Sequence, residues 1–212
     1  MKKILSLIKL LHSNLVLNRR SDILSKNISN LIPYDSIVLD IGCGDGTIGH
    51  LVMQHKPSIF VSGLEVMKRS NCRIKCKMFD GLKIPLKDSS VDVCILVDVL
   101  HHTLNIEGLL KEACRISRKY VIIKDHLYNN KIDFAILKFM DWIGNRPYGV
   151  GLVYNYQNKQ KWSRYFESCR LQTIKWNDKI PLYIFPFNAI FGRNLHFISL
   201  LEKERTMEIK NK

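Results

Sequence analysis

The most informative stretch of this 212-residue chain runs from Val38 to Gly46 and reads VLDIGCGDG. Apolar residues around Asp40 indicate a buried β-strand that ends at that acid and leads into a glycine-rich turn. A helical pattern, Thr47–Met53, follows at once. Glycines at Gly42 and Gly44 would let the backbone approach a ligand closely, as in nucleotide-binding α/β units. The sequence therefore predicts an enzyme that uses a nucleoside-containing cofactor.

Two cofactors compete for this turn. Gly44–Gly49 matches the G-x-G-x-x-G fingerprint of dinucleotide binding, and Glu65 lies where an acid could hold a ribose hydroxyl. However, Asp40 comes two residues before the first glycine, and a carboxylate at the mouth of the strand would repel a pyrophosphate. S-adenosylmethionine (SAM) carries a sulfonium and an ammonium group and no phosphate. The acidic turn therefore favours SAM.

Four ordered blocks of the chain resemble the class I SAM-dependent methyltransferases, specifically the broad ubiquinone/menaquinone-methyltransferase-like group. The blocks are Val38–Gly46, Val61–Glu65, Phe79–Val93 and Leu96–His102, the last followed by Glu112–Ile116. Their order and spacing match over about residues 36–125. The resemblance implies an α/β fold with a Rossmann-like, doubly wound, seven-stranded and mostly parallel sheet. Its C-terminal edge would be antiparallel, and helices would cover both faces.

The same resemblance implies roles around the glycine turn. Asp40, with the backbone at Gly42 and Gly44, is expected to hold the methionine end of the cofactor. Glu65 is expected to accept hydrogen bonds from the ribose hydroxyls, each worth about 1.5–3 kcal/mol for a charged acceptor.

Further roles follow for the next two strand ends. Asp80 is expected to bind the adenine amino group, with the Gly81 amide beside it, and Asp98 is expected to face the sulfonium and the acceptor. The competing interpretation of each acid is a helix cap or a solvated loop residue, and it is strongest for Asp98.

Histidines near the strand ends are candidates for acid–base chemistry. Methyl transfer is an in-line displacement that depends on alignment and needs no protein nucleophile. A base is required only when the acceptor must lose a proton. His102 and His126 are the candidate bases, with His101 a weaker one. Alternatively, these imidazoles only hydrogen-bond a neighbouring loop.

The length of 212 residues, without an internal repeat, low-complexity segment or linker, predicts one domain. It comprises an N-terminal amphipathic helix region (1–34), a cofactor-binding core (36–125) and acceptor-side elements (126–204). Strands are expected at 36–41, 58–64, 74–79, 91–98, 119–124, 171–180 and 195–201, and helices at 4–31, 106–116, 132–143 and 161–169. The segments Asp141–Val150 and Tyr154–Tyr156 are rich in aromatic and amide groups. They are predicted to cover the acceptor, or else to form a loop packed by its own aromatics.

Composition constrains compartment and partners. No apolar run approaches the roughly 20 residues of a membrane span, and the apolar N-terminus lacks a cleavage site, so we expect a cytoplasmic protein. Six scattered cysteines agree with a reducing compartment. Cys72 and Cys76 form C-x3-C, but position 79 is Phe79 rather than the third ligand of a radical-SAM cluster. No second Cys/His pair has zinc spacing, so no metal is predicted.

The net charge of +14 has three interpretations. The first is an AT-rich genome that enriches lysine, asparagine and isoleucine. The second is an anionic membrane or a lipid-linked acceptor. The third is RNA, although no RNA-binding module is visible. The leading prediction is an enzyme that methylates a small-molecule or lipid-linked metabolite. An RNA methyltransferase and a non-catalytic binding protein with this fold are the alternatives. The sequence does not predict the oligomeric state.

Overall fold

The computed structural model describes residues 18–67, 69, 71–145, 153–184, 188, 191–192 and 194–204, with only the backbone at 144 and 145. Its helices are α1 (Asn18–Ser29), α2 (Thr47–His55), α3 (Ile106–Ile116), α4 (Lys131–Asn145) and α5 (Lys159–Ser168), with a 3-10 turn at Leu100–His102. Its strands are β1 (Ile37–Ile41), β2 (Phe60–Glu65), β3 (Lys75–Met78), β4 (Val91–Val97), β5 (Ser117–His126), β6 (Leu171–Asn177) and β7 (His196–Lys203).

The strands form one seven-stranded sheet in the order β3-β2-β1-β4-β5-β7-β6. Strands β1 to β5 run parallel, whereas β7 is antiparallel to both β5 and β6. This arrangement confirms the predicted Rossmann-like fold with an antiparallel C-terminal edge. The strand order reverses between β1 and β4, and open α/β sheets bind ligands outside the carboxyl ends of the strands at such a point.

Apolar side chains on the two faces of the sheet form separate cores. On β4, Val93 and Ile95 pack with α1 and α2, whereas Cys94 and Leu96 pack with α3 and α5. Successive residues of a strand point to opposite faces, so a strand buried on both sides reads as a continuous apolar run. The central strands are therefore rigid supports for the residues at their carboxyl ends.

Most predicted elements are present, and their boundaries differ in informative ways. Strand β1 ends at Ile41, as in the predicted range 36–41 and one residue beyond the acid at which the glycine turn was expected to start, because Ile41 still pairs with Leu64. Strand β5 begins at Ser117, directly after α3, and continues to His126 because it pairs with β7 over seven residues. The predicted helix at 4–31 is observed from residue 18, and its earlier part lies outside the described residues. Within the described chain, no helix combines the length and apolarity needed to cross a bilayer.

Candidate functional site

The glycine turn after β1 holds both glycines in left-handed backbone conformations, for different reasons. Gly42 has φ of 74°, and a Cβ there would lie 2.6 Å from a methyl carbon of Val99. Gly44 has φ of 59°, and a Cβ there would meet nothing within 4 Å. The absence of a side chain at Gly42 is thus explained by packing, whereas the open space beside Gly44 could receive a ligand. Sequence reasoning had assigned both glycines to the ligand.

Asp40 lies near the carboxyl end of β1 and is almost fully buried, with 2% of its surface exposed. Among the described residues, no group donates a hydrogen bond to its carboxylate. Burial, and secondarily the charge of Glu65, raise the pKa of Asp40 to about 7. An acid in this state is poised to ionise when a cationic group binds beside it.

Glu65 ends β2 and is fully engaged by the backbone. Its Oε2 accepts a hydrogen bond from the Gly44 amide at 2.7 Å, and its Oε1 accepts bonds from the amides of Val66 and Met67 at 2.9 and 3.2 Å. The carboxylate therefore fastens the glycine turn to the end of β2. Each oxygen has two acceptor positions, so Oε1 is filled and Oε2 keeps one position for a ribose hydroxyl.

Asp80 and Gly81 form an exposed turn after β3. The Oδ1 of Asp80 accepts hydrogen bonds from the amides of Leu82 and Lys83, both at 2.8 Å. These bonds lower the pKa of the Asp80 carboxyl below its usual value. Gly81 has φ of 78°, which the turn requires. The structure thus gives Asp80 a local structural role, and its predicted contact with adenine stays a prediction.

Asp98 follows β4 in a left-handed conformation, with φ of 57°. Its carboxylate forms ion pairs with Arg20 of α1 and Lys124 of β5, and its amide donates to the Lys124 carbonyl at 2.8 Å. Burial alone would raise the pKa of Asp98, but the charges of Lys124 and Arg20 hold it well below its usual range. Asp98 is therefore an ionised acid at the switch point of the sheet, shared by two cations that sequence reasoning did not identify.

Lys124 is completely buried in β5, and burial lowers its pKa to about 8 despite the attraction of Asp98. Its Nζ lies 3.4 Å from Nδ1 of His196, the first residue of β7. The pKa of His196 is held well below its usual value by burial and by the charge of Lys124. The antiparallel edge of the sheet thus contributes a neutral imidazole to the charged cluster.

His101 is oriented by a carboxylate of β5. Its Nδ1 lies 2.7 Å from Oδ1 of Asp125, whose Oδ2 accepts a hydrogen bond from the Leu100 amide at 3.0 Å. Burial opposes ionisation of His101, but Asp125 and Asp141 raise its pKa to about 9. His101, the weaker candidate from sequence, is therefore the imidazole that the surrounding carboxylates favour as a cation.

The two stronger candidate bases differ in exposure. His126 is buried, and burial together with the charges of His101 and Lys124 lowers its pKa to about 4. The side chain of His102 is 19% exposed, and burial and His101 lower its pKa as well. Both imidazoles are neutral near pH 7, and His102 is the one that solvent reaches.

The predicted acceptor cover divides into two parts. Asp141 and Tyr156 are buried, and the Tyr156 hydroxyl donates to Oδ2 of Asp141 at 2.9 Å. Asn155 binds the 3-10 turn, because its amide donates to the His101 carbonyl at 3.0 Å and its Nδ2 donates to the Thr103 carbonyl at 3.0 Å. These residues are structural supports of the histidines. Residues 146–150 of the predicted cover lie outside the described residues.

Cys43 joins the C-x3-C pair of Cys72 and Cys76 beside the glycine turn. The thiols of Cys43, Cys72 and Cys76 lie within 4.8 Å of one another, with 3.4 Å between Cys43 and Cys76. Burial and the nearby Asp40 carboxylate raise the pKa of the Cys43 thiol, and burial raises that of Cys76. Metals bind thiolates, so the raised pKa values of Cys43 and Cys76 favour neutral thiols that pack in or against the core.

Comparison with known proteins agrees with this geometry. The model of the family described as "Methionine biosynthesis protein MetW" matches residues 20–139, more than half of the chain. The chain belongs to the MetW family. The match extends from α1 to α4 and so includes Arg20, the acids that follow the strands and His126.

Two relatives of this MetW-family protein match it over part of its length. A protein of Methanocaldococcus jannaschii is 28% identical over 135 residues, which cover 58% of this chain and 60% of that protein. An uncharacterized methyltransferase-like protein of Schizosaccharomyces pombe is 27% identical over 92 residues, covering 41% of this chain and 36% of that protein. The chain thus spans less than two thirds of the length of these relatives.

Among solved structures, a SAM-dependent methyltransferase of Thermotoga maritima superimposes with a TM-score of 0.63. It shares 18% sequence identity, and the match covers 92% of each chain. At this identity the likeness shows the fold alone. The MetW-family protein therefore has a methyltransferase fold over most of its length.

Proposed function

We propose that this protein is a SAM-dependent methyltransferase that acts on a small-molecule or lipid-linked metabolite. Membership of the ubiquinone/menaquinone-methyltransferase-like group is part of the proposal and rests on the four sequence blocks described above. A cytoplasmic location is the corresponding expectation for the compartment.

The observation that carries the proposal is the buried carboxylate of Asp40 at the switch point of the sheet. Among the described residues no cation pairs with it, and its pKa is raised to about 7. The space beside Gly44 adjoins the same turn. A cationic ligand would stabilise the ionised carboxylate, whereas a pyrophosphate would be repelled by Asp40 and Glu65 together. SAM has the required charge.

The burial of the polar groups around Asp98 favours a small substrate over a macromolecule. The polar groups around Asp98 are largely enclosed, since Lys124, Asp125 and His101 are each at most 1% exposed. A substrate that reaches them must enter between packed elements, as small molecules and lipid head groups do. The net charge of +14 is the one feature that favours RNA, and it calls for a direct test.

Equilibrium binding tests the cofactor. We expect SAM to bind the wild-type protein, with NAD and ATP as negative controls. Asp40→Asn should lower SAM affinity at least about 10-fold, because a charge-assisted contact is worth about 1.5–3 kcal/mol. Asp88 precedes β4, at the end of the strands opposite to the glycine turn, and its side chain is 75% exposed. Asp88→Asn removes the same charge there and should leave SAM affinity unchanged. Equal affinities of the two variants would contradict the assignment.

Transfer of a labelled methyl group tests the acceptor. The protein would be incubated with methyl-labelled SAM and a cell extract, and organic-soluble, nucleic-acid and small polar fractions would be separated. Label in the organic or small polar fraction would support a metabolite. Nuclease-sensitive label, with binding that falls steeply with salt, would identify RNA instead. Tight SAM binding without transfer to any fraction would favour the non-catalytic alternative.

A further inference from the structure

A buried nitrogen of His101 faces a carboxylate without forming a hydrogen bond to it. Its Nε2 lies 3.6 Å from Oδ1 of Asp141, which is beyond hydrogen-bond distance, and it has no hydrogen-bond partner among the described residues. The His101 side chain is only 1% exposed, so water does not satisfy this atom from bulk solvent. A buried polar atom in this state points to a missing ligand.

A second imidazole converges on the same carboxylate oxygen. Nε2 of His102 also lies 3.6 Å from Oδ1 of Asp141, and three ligand atoms, one from each residue, all lie within 4.8 Å of one another. Ligands at about 2.0–2.2 Å from a tetrahedral zinc ion are separated by about 3.4 Å. The observed separations therefore require only small side-chain adjustments.

The surrounding contacts orient these ligand atoms. The Nδ1 of His101 is bound to Asp125 at 2.7 Å, so the other ring nitrogen, Nε2, faces Asp141, and a metal ion there would take the place of the Nε2 proton. The Tyr156 hydroxyl holds the other carboxylate oxygen of Asp141 at 2.9 Å. A carboxylate behind a ligating histidine and a hydrogen bond to a ligating carboxylate are the usual outer contacts of a zinc site.

We propose that His101, His102 and Asp141 bind a divalent transition-metal ion, with Zn²⁺ the first candidate. Two imidazoles and one carboxylate form a ligand set that suits Zn²⁺ and leaves a coordination position for water or an oxygen-bearing ligand. The cation would replace the Nε2 proton of His101 as the positive charge that faces Asp125 and Asp141, and the displaced proton would leave to solvent. This inference goes beyond methyl transfer, and its test requires neither SAM nor an acceptor.

Metal titration of a tag-free protein tests the site. The three clustered thiols could also take up zinc, so the titration uses a Cys72→Ser/Cys76→Ser background. We expect one Zn²⁺ per chain by elemental analysis, and Co²⁺ should give the ligand-field spectrum of a nitrogen and oxygen site without thiolate charge-transfer bands. Absence of stoichiometric binding in this background would overturn the proposal.

Ligand variants localise the ion. His102→Ala and Asp141→Asn should each lower Zn²⁺ affinity at least about 100-fold, since even outer contacts of such sites are worth 10–100-fold. His55→Ala removes a surface histidine and is the matched control. Circular dichroism establishes that each variant is folded. If the buried His101→Ala fails to fold, the partly exposed His102→Ala decides, and unchanged affinity in that variant would refute the site.

Discussion

Arg20 and Asp98 form an ion pair across 78 positions of the chain. Arg20 belongs to α1 and Asp98 follows β4, so the contact joins the first described helix to the switch point of the sheet. Lys124 binds the other oxygen of the same carboxylate. The position of α1 is therefore coupled to the charge of Asp98, at the end of the strand where a methyl acceptor would bind.

Replacing Arg20 tests that coupling. Arg20→Met leaves Asp98 with one cation and should lower the free energy of unfolding by about 1–3 kcal/mol, less than for a buried pair without a third partner. Arg19 is the adjacent exposed arginine, so Arg19→Met should have little effect. Urea unfolding of both variants measures the difference. Additive effects of Arg20→Met and Asp98→Asn in a double-mutant cycle would show that the pair is not coupled.

Asp40 makes the unliganded protein sensitive to pH. Its pKa is raised from 3.8 to about 7 on folding, so its stabilising contribution is complete below about pH 4 and is lost as the pH rises to about 7. Compared with the wild type, Asp40→Asn should therefore gain stability between pH 5 and pH 8, on the order of 2–4 kcal/mol. Thermal unfolding at several pH values measures this relative gain. Parallel pH profiles of the two proteins would mean that Asp40 is ionised throughout.

The same residue predicts the pH dependence of SAM binding. A cationic ligand binds the ionised carboxylate, so affinity should decrease as the pH falls below about 7. Asp40→Asn should bind weakly and with a flatter pH profile. Calorimetric titrations between pH 5.5 and pH 8 would measure both, and a wild-type affinity that is constant over this range would argue against a direct charge interaction.

The two glycines of the turn should respond differently to alanine. Gly44→Ala enters open space, so it should cost only about 1–2 kcal/mol for the left-handed backbone, while SAM affinity falls. Gly42→Ala adds a clash with Val99 and should destabilise the protein by a further 1–3 kcal/mol or so. Adding Val99→Ala should recover part of that loss. Stability and SAM affinity measured on all three variants separate packing from binding, and equal stability losses would contradict the distinction.

Trp162 of α5 forms a hydrogen bond with the backbone of His126. It is completely buried, and its Nε1 donates to the His126 carbonyl at 3.0 Å. Trp162→Phe leaves that carbonyl unpaired and should cost about 1–3 kcal/mol. Trp176 is half-buried and donates to Asp178 at 3.0 Å, so Trp176→Phe is the matched control and should cost less. Chemical denaturation compares them, and a smaller loss for Trp162→Phe would contradict this account.

Most helices and strands could be predicted because each has a recognisable pattern in the sequence, such as a helix cap or an apolar run. Helix α3 begins and ends as predicted, at Ile106 and Ile116, and Asn105 caps its start by accepting a hydrogen bond from Gly108 at 2.8 Å. The central strands are buried on both faces and therefore read as apolar runs. Strand ends were less accurate, as at Ser117 and His126 of β5, because pairing with neighbouring strands extends them beyond the apolar pattern.

The charged cluster could not be predicted, because its members meet through tertiary contacts. Nothing near Arg20 in the sequence indicates Asp98, and His196 is placed beside Lys124 only by the antiparallel pairing of β7. One local signal was available. Lys124 and Asp125 interrupt the apolar run of β5 at its carboxyl end, and charged residues in a buried strand are rarely there without partners.

The position of β7 between β5 and β6 determines when the sheet can be completed during synthesis. Strand β6 leaves the ribosome before β7, yet its hydrogen-bond partner in the sheet is β7. Until β7 emerges, the outer edge of β5 is unpaired and Trp162 lacks its ring contact with Phe197. A nascent chain of this protein therefore carries an open, aggregation-prone edge until its last described strand arrives, and chaperones that bind exposed apolar segments would act during that interval.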